Sequence, residues 1–465
     1  MGLRHKVIQG GAFLVGRQAI GIVVSLVGVL LVTRIIGPHQ YGIFATGAGV
    51  VMFVTNLATC GLDVYLLRKS EDPTAAEFNQ VFILSALIAA VFTGGILAFR
   101  GLIAHLVRTP AVGPVIAVLA FGILFDQLAT PAIVKLDRAL NFRRVAWMEL
   151  VSQVMFYIAA IPLALKGAGA WAPVTGFLTQ QVSMLILSYW GTGFRPGWHW
   201  EVGLIKKILG YGTSYSSSLW IWQLRDLVNP LIVGRFAGVD GVAFVAISIR
   251  IATLLAIAKN VTWRVALAAL AKLEGNRDRL RAAITEGMRL QTFAVGVPMA
   301  AFALVAPVVL PLVFGSRWKP ALSVFPFIAL SYLSNATFHL HASVLYLLHK
   351  NWEVTWFHCT HIVIFAASAA LLVPRVGFGG YGWAELVALS SYLVIHIFVK
   401  QEVGSPDYEA GATWYFAVVM VLVLSVFGPP LGYLGLPVLL IPVLLRRERN
   451  TIVGYAQILS SKISV

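Results

Sequence analysis

Long apolar runs separated by short polar turns make up most of this chain. A helix needs about 20 mostly apolar residues to cross a bilayer. Fourteen runs approach that length, near residues 9–36, 42–65, 79–99, 113–134, 147–165, 170–190, 209–234, 240–265, 289–313, 321–347, 354–373, 380–399, 413–428 and 431–445. We therefore predict an all-α polytopic membrane protein of about fourteen transmembrane helices. The turns are too short to hold a soluble catalytic domain.

Lys and Arg are divided unequally between the two sets of alternate turns. The set that includes both termini holds 22 of them, the opposite set holds 7, and 6 lie inside spans. Because cytoplasmic loops carry the excess of Lys and Arg, we predict that both termini are cytoplasmic. The basic N-terminus precedes an apolar run longer than a signal sequence, and we interpret that run as an uncleaved first span.

Composition supports a membrane protein and argues against a nucleic-acid partner. The 465 residues are 59% apolar and 12% charged, whereas about a quarter of residues are charged in a soluble domain. The net charge of +16 is typical of proteins that contact nucleic acid or anionic membranes. Since no polar domain is present to offer a basic face, membrane lipids are the expected partner.

The sequence contains two weak internal echoes. Residues 33–37 read TRIIG and residues 234–238 read GRFAG, which pairs Arg34 with Arg235 and Gly37 with Gly238 at an offset of 201. A second echo pairs residues 167–172 with 379–384 at an offset of 212. A shift of six spans preserves orientation, so these are parallel repeats, an arrangement that places a substrate site between two halves in transporters. Chance similarity between glycine-rich turns is the alternative.

The repeat defines the predicted domains. They are an N-lobe of six spans at 1–191, a cytoplasmic interfacial linker at 192–208, a C-lobe of six spans at 209–400, two further spans at 413–446 and a cytoplasmic tail at 447–465. Trp and Lys residues in 194–209 suit an amphipathic helix at the membrane surface.

Charged residues inside the spans are the candidates for function, because a charge in the bilayer centre costs several kcal/mol without a partner or water. Arg225 and Arg250 lie about 12 residues on either side of a turn, so they should share one depth, with Asp226 beside them. This group predicts a hydrated cavity that binds anions. Arginine suits phosphate because its planar fork donates two parallel hydrogen bonds. An Arg–Asp bridge that only fixes the helical hairpin is the alternative.

Four further charged residues complete the candidate site. Arg17 is expected to line the cavity, with snorkelling to the cytoplasmic face as the alternative. Asp63 and Arg68 are candidates for a gate or a local bridge, and Asp126, beside Gln127, is a candidate site for a coupling ion.

Motifs for other chemistry are missing from the sequence. His339, His341, His358 and His361 lack the spacing of a zinc site, and we predict packing roles and no metal. There is no P-loop and no nucleophile elbow. We expect no cofactor and no enzymatic activity.

Four short motifs, in order along the chain, resemble a known family. Residues 37–44 read GPHQYGIF, 60–63 read CGLD with Arg68 following, 138–143 read RALNFR, and 314–318 read FGSRW. They resemble motifs of bacterial polysaccharide-transport flippases, the Wzx-like branch of the multidrug/oligosaccharidyl-lipid/polysaccharide (MOP) exporter superfamily.

The resemblance implies a fold and an activity. It implies two six-helix lobes in a V shape plus two helices, in the bacterial cytoplasmic (inner) membrane. The implied substrate is an undecaprenyl-diphosphate-linked oligosaccharide, flipped to the periplasmic leaflet for O-antigen, capsule or exopolysaccharide synthesis. Arg17, Arg225 and Arg250 would bind the pyrophosphate, with Asp226 as a departure from a purely cationic site. A polysaccharide polymerase complex is an implied partner.

Two other functions stay open on the sequence alone. One is a drug or cation antiporter of the same superfamily, which needs a cavity centred on acidic residues. The other is a polytopic glycosyltransferase or polysaccharide polymerase, which normally carries catalytic carboxylates in a large outer loop.

Overall fold

The computed structural model describes residues 3–259, 270, 275–446, 448 and 449, and it leaves out the side chains of 3–19, 214, 215, 217–219 and 410. Within those bounds the backbone is helical and contains no strand, which confirms the predicted all-α class. The predicted tail at 447–465 lies almost entirely outside the described residues.

The α-helices are numbered here in chain order. They are Leu3–Ala58 (α1), Leu62–Arg68 (α2), Ala75–Leu106 (α3), Val112–Leu119 (α4), Phe121–Arg138 (α5), Phe142–Leu165 (α6), Trp171–Thr192 (α7), Val202–Gln223 (α8), Gly234–Leu255 (α9), Arg277–Phe314 (α10), Phe325–Thr337 (α11), His339–Leu347 (α12), Asn351–Val376 (α13), Gly379–Ala388 (α14), Tyr392–Val403 (α15), Glu409–Val426 (α16) and Gly435–Leu444 (α17). Between them lie 3₁₀ turns at Leu224–Leu227, Ser316–Ser323, Leu389–Ser391 and Leu431–Leu434, and a π-helical turn at Val228–Val233.

Eight of the described helical segments are long and apolar enough to cross a membrane, and a bent pair at Ser316–Ser323 and Phe325–Leu347 makes up to nine. Two shorter apolar helices, Gly411–Val426 and Leu431–Leu444, follow near the C-terminus. Two of the eight segments contain an internal glycine break. The exact count of fourteen spans therefore stays a prediction.

The two glycines of the first sequence echo adopt the same backbone conformation. Gly37 interrupts α1 with φ 75° and ψ 173°, and Gly238 interrupts α9 with φ 71° and ψ 176°. A positive φ is unfavourable for residues with a Cβ but open to glycine. The pairing at an offset of 201 thus reflects a shared turn, and each long helical segment is two helices joined at that turn.

These two turns also contact each other. Nδ1 of His39 lies 3.1 Å from Oδ1 of Asp240, its equivalent at the same offset of 201. The backbone of Gly42 packs directly against Val239. The first turn and its repeat are therefore neighbours within the first unit.

Arg138, in the motif RALNFR, connects the C-terminal end of α5 to the turn after α2. Its Nη1 donates to the carbonyl oxygens of Leu66 at 2.8 Å and Lys69 at 2.9 Å. Its Nη2 donates to the carbonyl oxygen of Glu71 and to Oδ1 of Asp72, both at 3.0 Å. With a further bond to the Leu67 carbonyl at 3.3 Å, one guanidinium satisfies four carbonyls at the end of α2 and in the turn that follows it.

The chain packs as two compact units, Met1–Phe244 and Val245–Val465. In the first unit, a core of Ile116, Leu119 and Ile123 with their neighbours joins α4 and α5 to α1 and α3. In the second, Ile284, Val344 and Val399 belong to a core that joins α10, α12, α13 and α15. Residues 209–244, which the repeat assigns to the C-lobe, pack within the first unit, so the predicted lobe boundaries stay a prediction.

The expected amphipathic helix over 194–209 is wrong for its first half. Residues 194–201 are not helical, and α8 begins at Val202. Pro196 and Gly197 disfavour a helix here. Side chains of α3 bind the segment instead, because Asn79 Oδ1 accepts from the Gly197 amide at 3.0 Å and Gln80 Oε1 accepts from the Glu201 amide at 2.8 Å.

The contact at Gly42 yields a stability prediction. A Cβ on residue 42 would overlap the Val239 carbonyl, so we expect Gly42→Ala to destabilise the protein by about 1–3 kcal/mol, the usual cost of overpacking. The control is Gly94→Ala in α3, where an added Cβ meets nothing within 4 Å and helix propensity favours alanine. Thermal unfolding in detergent measures both. A melting temperature for Gly42→Ala equal to that of Gly94→Ala would contradict the close contact.

Candidate functional site

The helical hydrogen-bonding pattern changes in the N-terminal part of the apolar segment Trp220–Leu255. Helix α8 ends at Gln223, a 3₁₀ turn covers Leu224–Leu227, and a π-helical turn with Pro230 follows. Mid-helix 3₁₀ and π turns often mark functional sites. Irregular backbone at membrane depth is tolerated where protein or water satisfies its polar groups.

Arg225 and Asp226 occupy this break. The Arg225 guanidinium is half-buried and lies 5.7 Å from the ring centroid of Trp222, within the range of a cation–π interaction. Asp226 is exposed. A carboxylate at membrane depth costs several kcal/mol unless water or a partner compensates it.

The structure does not test whether the other two predicted arginines share a site with Arg225. Arg250 is half-buried on α9 but belongs to the second unit. Arg17 lies on α1, and its side chain is outside the described part of the chain. The grouping of Arg17, Arg225 and Arg250 therefore stays a prediction.

Asp126 is the centre of a polar cluster inside the first unit. Nε2 of Gln181 donates to its Oδ1 at 3.4 Å, and Nε2 of Gln127 donates to its Oδ2 at 3.2 Å. Asp63 lies close enough to interact electrostatically with Asp126. The structure thus brings together two acids for which the sequence predicted separate roles.

Two neighbouring carboxylates and two amides have a defined chemical capacity. A carboxylate that is surrounded by protein can bind a proton or a cation that compensates its charge. The carboxylate and amide oxygens are ligands that hard cations prefer. The cluster of Asp63, Asp126, Gln127 and Gln181 is called the acidic pair site below.

Arg68 stands apart from this cluster. Asp63 opens α2 and Arg68 ends it, and residues five positions apart lie on different faces of a helix. Asp63 is half-buried whereas Arg68 is exposed. The gate proposed for these two residues stays a prediction.

Gln181 is a site residue that the sequence analysis missed. It follows Thr179 and Gln180 in an otherwise apolar run. Three consecutive polar residues in the sixth predicted span could have indicated a site residue. Asp63 and Asp126 are far apart in sequence, so their proximity could not be predicted. They come together only because α1, α3 and α5 pack against one another.

The histidines make hydrogen bonds with hydroxyl groups. His341 Nε2 lies 2.9 Å from the hydroxyl of Tyr408, and His361 Nδ1 lies 2.9 Å from Oγ of Ser391. Both rings are buried. Among the described residues no group of three or more His, Cys, Asp or Glu is arranged to hold a metal ion.

Two curated proteins are similar to this chain in sequence. The lipopolysaccharide biosynthesis protein WzxC of Escherichia coli (strain K12) is 21% identical over 328 residues, which cover 70% of this chain and 66% of that protein. The succinoglycan biosynthesis transport protein ExoT of Rhizobium meliloti (strain 1021) is 22% identical over 310 residues, covering 66% of this chain and 62% of that protein. The chain thus spans just under two thirds of the length of these curated relatives.

A solved structure shares the architecture. The lipid II flippase MurJ, in an inward closed conformation, superposes with a TM-score of 0.72 over 91% of this chain and 97% of that protein, at 13% identity. At that identity the likeness concerns the fold.

A family model described as polysaccharide biosynthesis protein matches residues 31–323. The match covers the motifs at 37–44, 60–63, 138–143 and 314–318, and it confirms the resemblance that they carry. Since the matched region is more than half of its length, this chain belongs to the polysaccharide biosynthesis protein family.

Proposed function

We propose that this protein is a flippase that moves a polyprenyl-diphosphate-linked oligosaccharide from the cytoplasmic to the outer leaflet for the synthesis of a cell-surface polysaccharide. The family match, the biosynthetic relatives and the fold shared with a lipid flippase support this proposal. Alternating access with a cationic central cavity is the mechanism that we propose.

The break at Leu224–Val233 is the observation that carries the proposal. It places Arg225 and the exposed Asp226 in the N-terminal part of the apolar segment Trp220–Leu255. A diphosphate headgroup needs charge-assisted hydrogen bonds to replace its water, and a guanidinium provides them in pairs. We propose Arg17, Arg225 and Arg250 as the diphosphate ligands, with Asp226 as their counter-ion, and Asp63 and Arg68 in gating.

The alternatives fit the chain less well. A drug or cation antiporter requires acids to outweigh bases at membrane depth, but the predicted spans hold 6 Lys and Arg against 4 acids. A glycosyltransferase or polymerase requires outer carboxylates, and Asp240 is the only acid in the predicted outer turns. The curated relatives described above are polysaccharide biosynthesis and transport proteins, which favours transport over catalysis.

The acidic pair site is the proposed point of energy coupling. A proton or cation bound between Asp63 and Asp126 would relieve their repulsion and change the packing of α2 against α5. Placement in the bacterial inner membrane with cytoplasmic termini, undecaprenyl as the lipid and a polymerase complex as partner belong to the same proposal.

Loss of either mid-span arginine tests the proposal in cells. We expect Arg225→Gln and Arg250→Gln each to reduce polysaccharide export by about tenfold or more, because a hydrogen bond to a charged group contributes about 1.5–3 kcal/mol. Arg195→Gln, an exposed arginine before α8, should leave export unchanged. Surface polysaccharide is quantified in a strain that depends on this protein, with protein levels checked by immunoblot. Normal export by both mid-span variants would remove them from the substrate site.

Membrane potential should drive transport. Moving one charge through 100 mV changes the free energy by about 2.3 kcal/mol, so two phosphate charges leaving a negative interior gain about 4–5 kcal/mol. Proteoliposomes with a potassium–valinomycin potential should therefore translocate the lipid-linked oligosaccharide faster when the predicted cytoplasmic side is negative. Equal rates at zero, positive and negative potential would contradict outward movement of an uncompensated diphosphate.

A further inference from the structure

A cavity of about 890 Å³ opens at the C-terminal end of α3, in the first unit. This α3 pocket is lined by Arg100, Gly101, Ala104, His105, Arg108, Pro110, Gly113, Pro114 and Arg235. It is separate from Arg225 and from the acidic pair site, which contribute nothing to this lining. Its volume is in the range of sites that bury a small ligand or a headgroup.

The charge of the α3 pocket is one-sided. Three arginines and one histidine line it, and its described lining contains no acid. The predicted outer turns hold 7 Lys and Arg in all, so three of the seven converge on this pocket. Ordinary anchoring residues are spread over a surface, whereas convergent arginines in a concave site favour an anionic ligand.

Arg235 is held in place by the backbone of α3. Its Nη1 donates to the carbonyl oxygen of Leu106 at 3.1 Å, and its guanidinium lies 5.5 Å from the ring centroid of Phe236. A hydrogen bond to a free carbonyl at a helix end fixes the guanidinium without neutralising it. The guanidinium of Arg235 keeps its positive charge, and its remaining N–H groups can donate to a ligand.

Arg108 occupies a position that normally requires glycine. Its φ is 54°, and its amide donates to the His105 carbonyl at 3.1 Å while the Thr109 amide donates to the Ala104 carbonyl at 3.0 Å. This pair of bonds is the Schellman motif, in which glycine usually takes the left-handed residue. An arginine in left-handed conformation carries a backbone cost that glycine would avoid, as do Leu140 and His349, which take the same position in this protein.

Exposed apolar residues flank the cationic lining in sequence. Phe99, Leu102, Leu106 and Phe236 are exposed, and each is the sequence neighbour of a residue of the pocket. An arginine cluster beside an apolar surface matches an amphiphile whose phosphate is joined to a hydrocarbon chain. An anionic soluble metabolite would gain nothing from that apolar border.

We propose that the α3 pocket binds the phosphate groups of a lipid headgroup. On the predicted topology the pocket opens at the outer face, where the diphosphate of the translocated lipid arrives, and this choice of lipid rests on the proposed function. The pocket would then hold the product after it leaves the mid-membrane arginines. An anionic phospholipid of the outer leaflet offers the same phosphate chemistry.

Purified full-length protein in detergent, titrated with polyprenyl diphosphate, tests the proposal. Arg108→Gly should relieve the backbone strain, so its melting temperature should equal or exceed that of wild type while its affinity falls. The double variant Arg100→Gln/Arg108→Gly should bind polyprenyl diphosphate about tenfold more weakly or worse, the effect of losing charge-assisted hydrogen bonds. Arg375→Gln, an exposed arginine on the same predicted face outside the pocket, should keep wild-type affinity.

Two other lipids identify the source of the phosphate. If the double variant binds phosphatidylglycerol more weakly to the same degree, the pocket is assigned to bulk phospholipid. If only the binding of the diphosphate is weakened, the pocket is assigned to the product. Polyprenol, which has no phosphate, should bind wild type and variant alike. The proposal is overturned if the double variant binds polyprenyl diphosphate within twofold of wild type, or if polyprenol loses affinity equally. Binding at equilibrium requires no translocation, so this result is independent of whether wild type flips lipid.

Discussion

The cost of placing charge and unsatisfied backbone in hydrocarbon is the constraint on which this structure depends. Each charge at membrane depth costs several kcal/mol unless water or a partner compensates it, and every spanning segment must satisfy its own backbone. The chain meets both demands with regular helices almost everywhere. One of its departures from regular helix, at Leu224–Val233, contains Arg225 and Asp226.

The repeat could be recognised in the sequence because glycine occurs in both turns, where the backbone conformation requires it. Gly37 and Gly238 have nearly identical dihedral angles, and only a residue without a Cβ adopts them at little cost. The same reasoning failed at Arg108, where the left-handed position after α3 holds an arginine. The preference for glycine at left-handed positions predicts a turn where glycine is present. It predicts nothing where another residue takes that position.

Tertiary packing produced the features that periodicity could not predict. The helical class followed from apolar runs of about 20 residues, but the loss of helix at 194–201 depends on Asn79 and Gln80 of a distant helix. The proximity of Asp63 to Asp126 likewise depends on three helices packing together. Isolated charges in spans stay the candidates for a site, and the partners of Asp126 could not be predicted because they are distant in sequence.

The first unit gathers three features that serve one transport cycle in this account. The mid-span arginine lies at the break between α8 and α9, the acidic pair site lies near α5, and the α3 pocket lies beside Arg235. Val107 at the end of α3 packs against Gly234, so the pocket borders the helix that continues from the break. A ligand in the pocket would therefore touch the element that holds the mid-span charge.

Translocation by the purified protein tests the central claim most directly. Wild-type protein is reconstituted in liposomes with a fluorescent polyprenyl-diphosphate disaccharide in one leaflet, and its exposure to an impermeant quencher is followed with time. Parallel liposomes are loaded with a cationic dye to detect antiport. The account predicts protein-dependent movement of the diphosphate lipid and no movement of the dye. Dye efflux without lipid movement would contradict it and identify a drug antiporter.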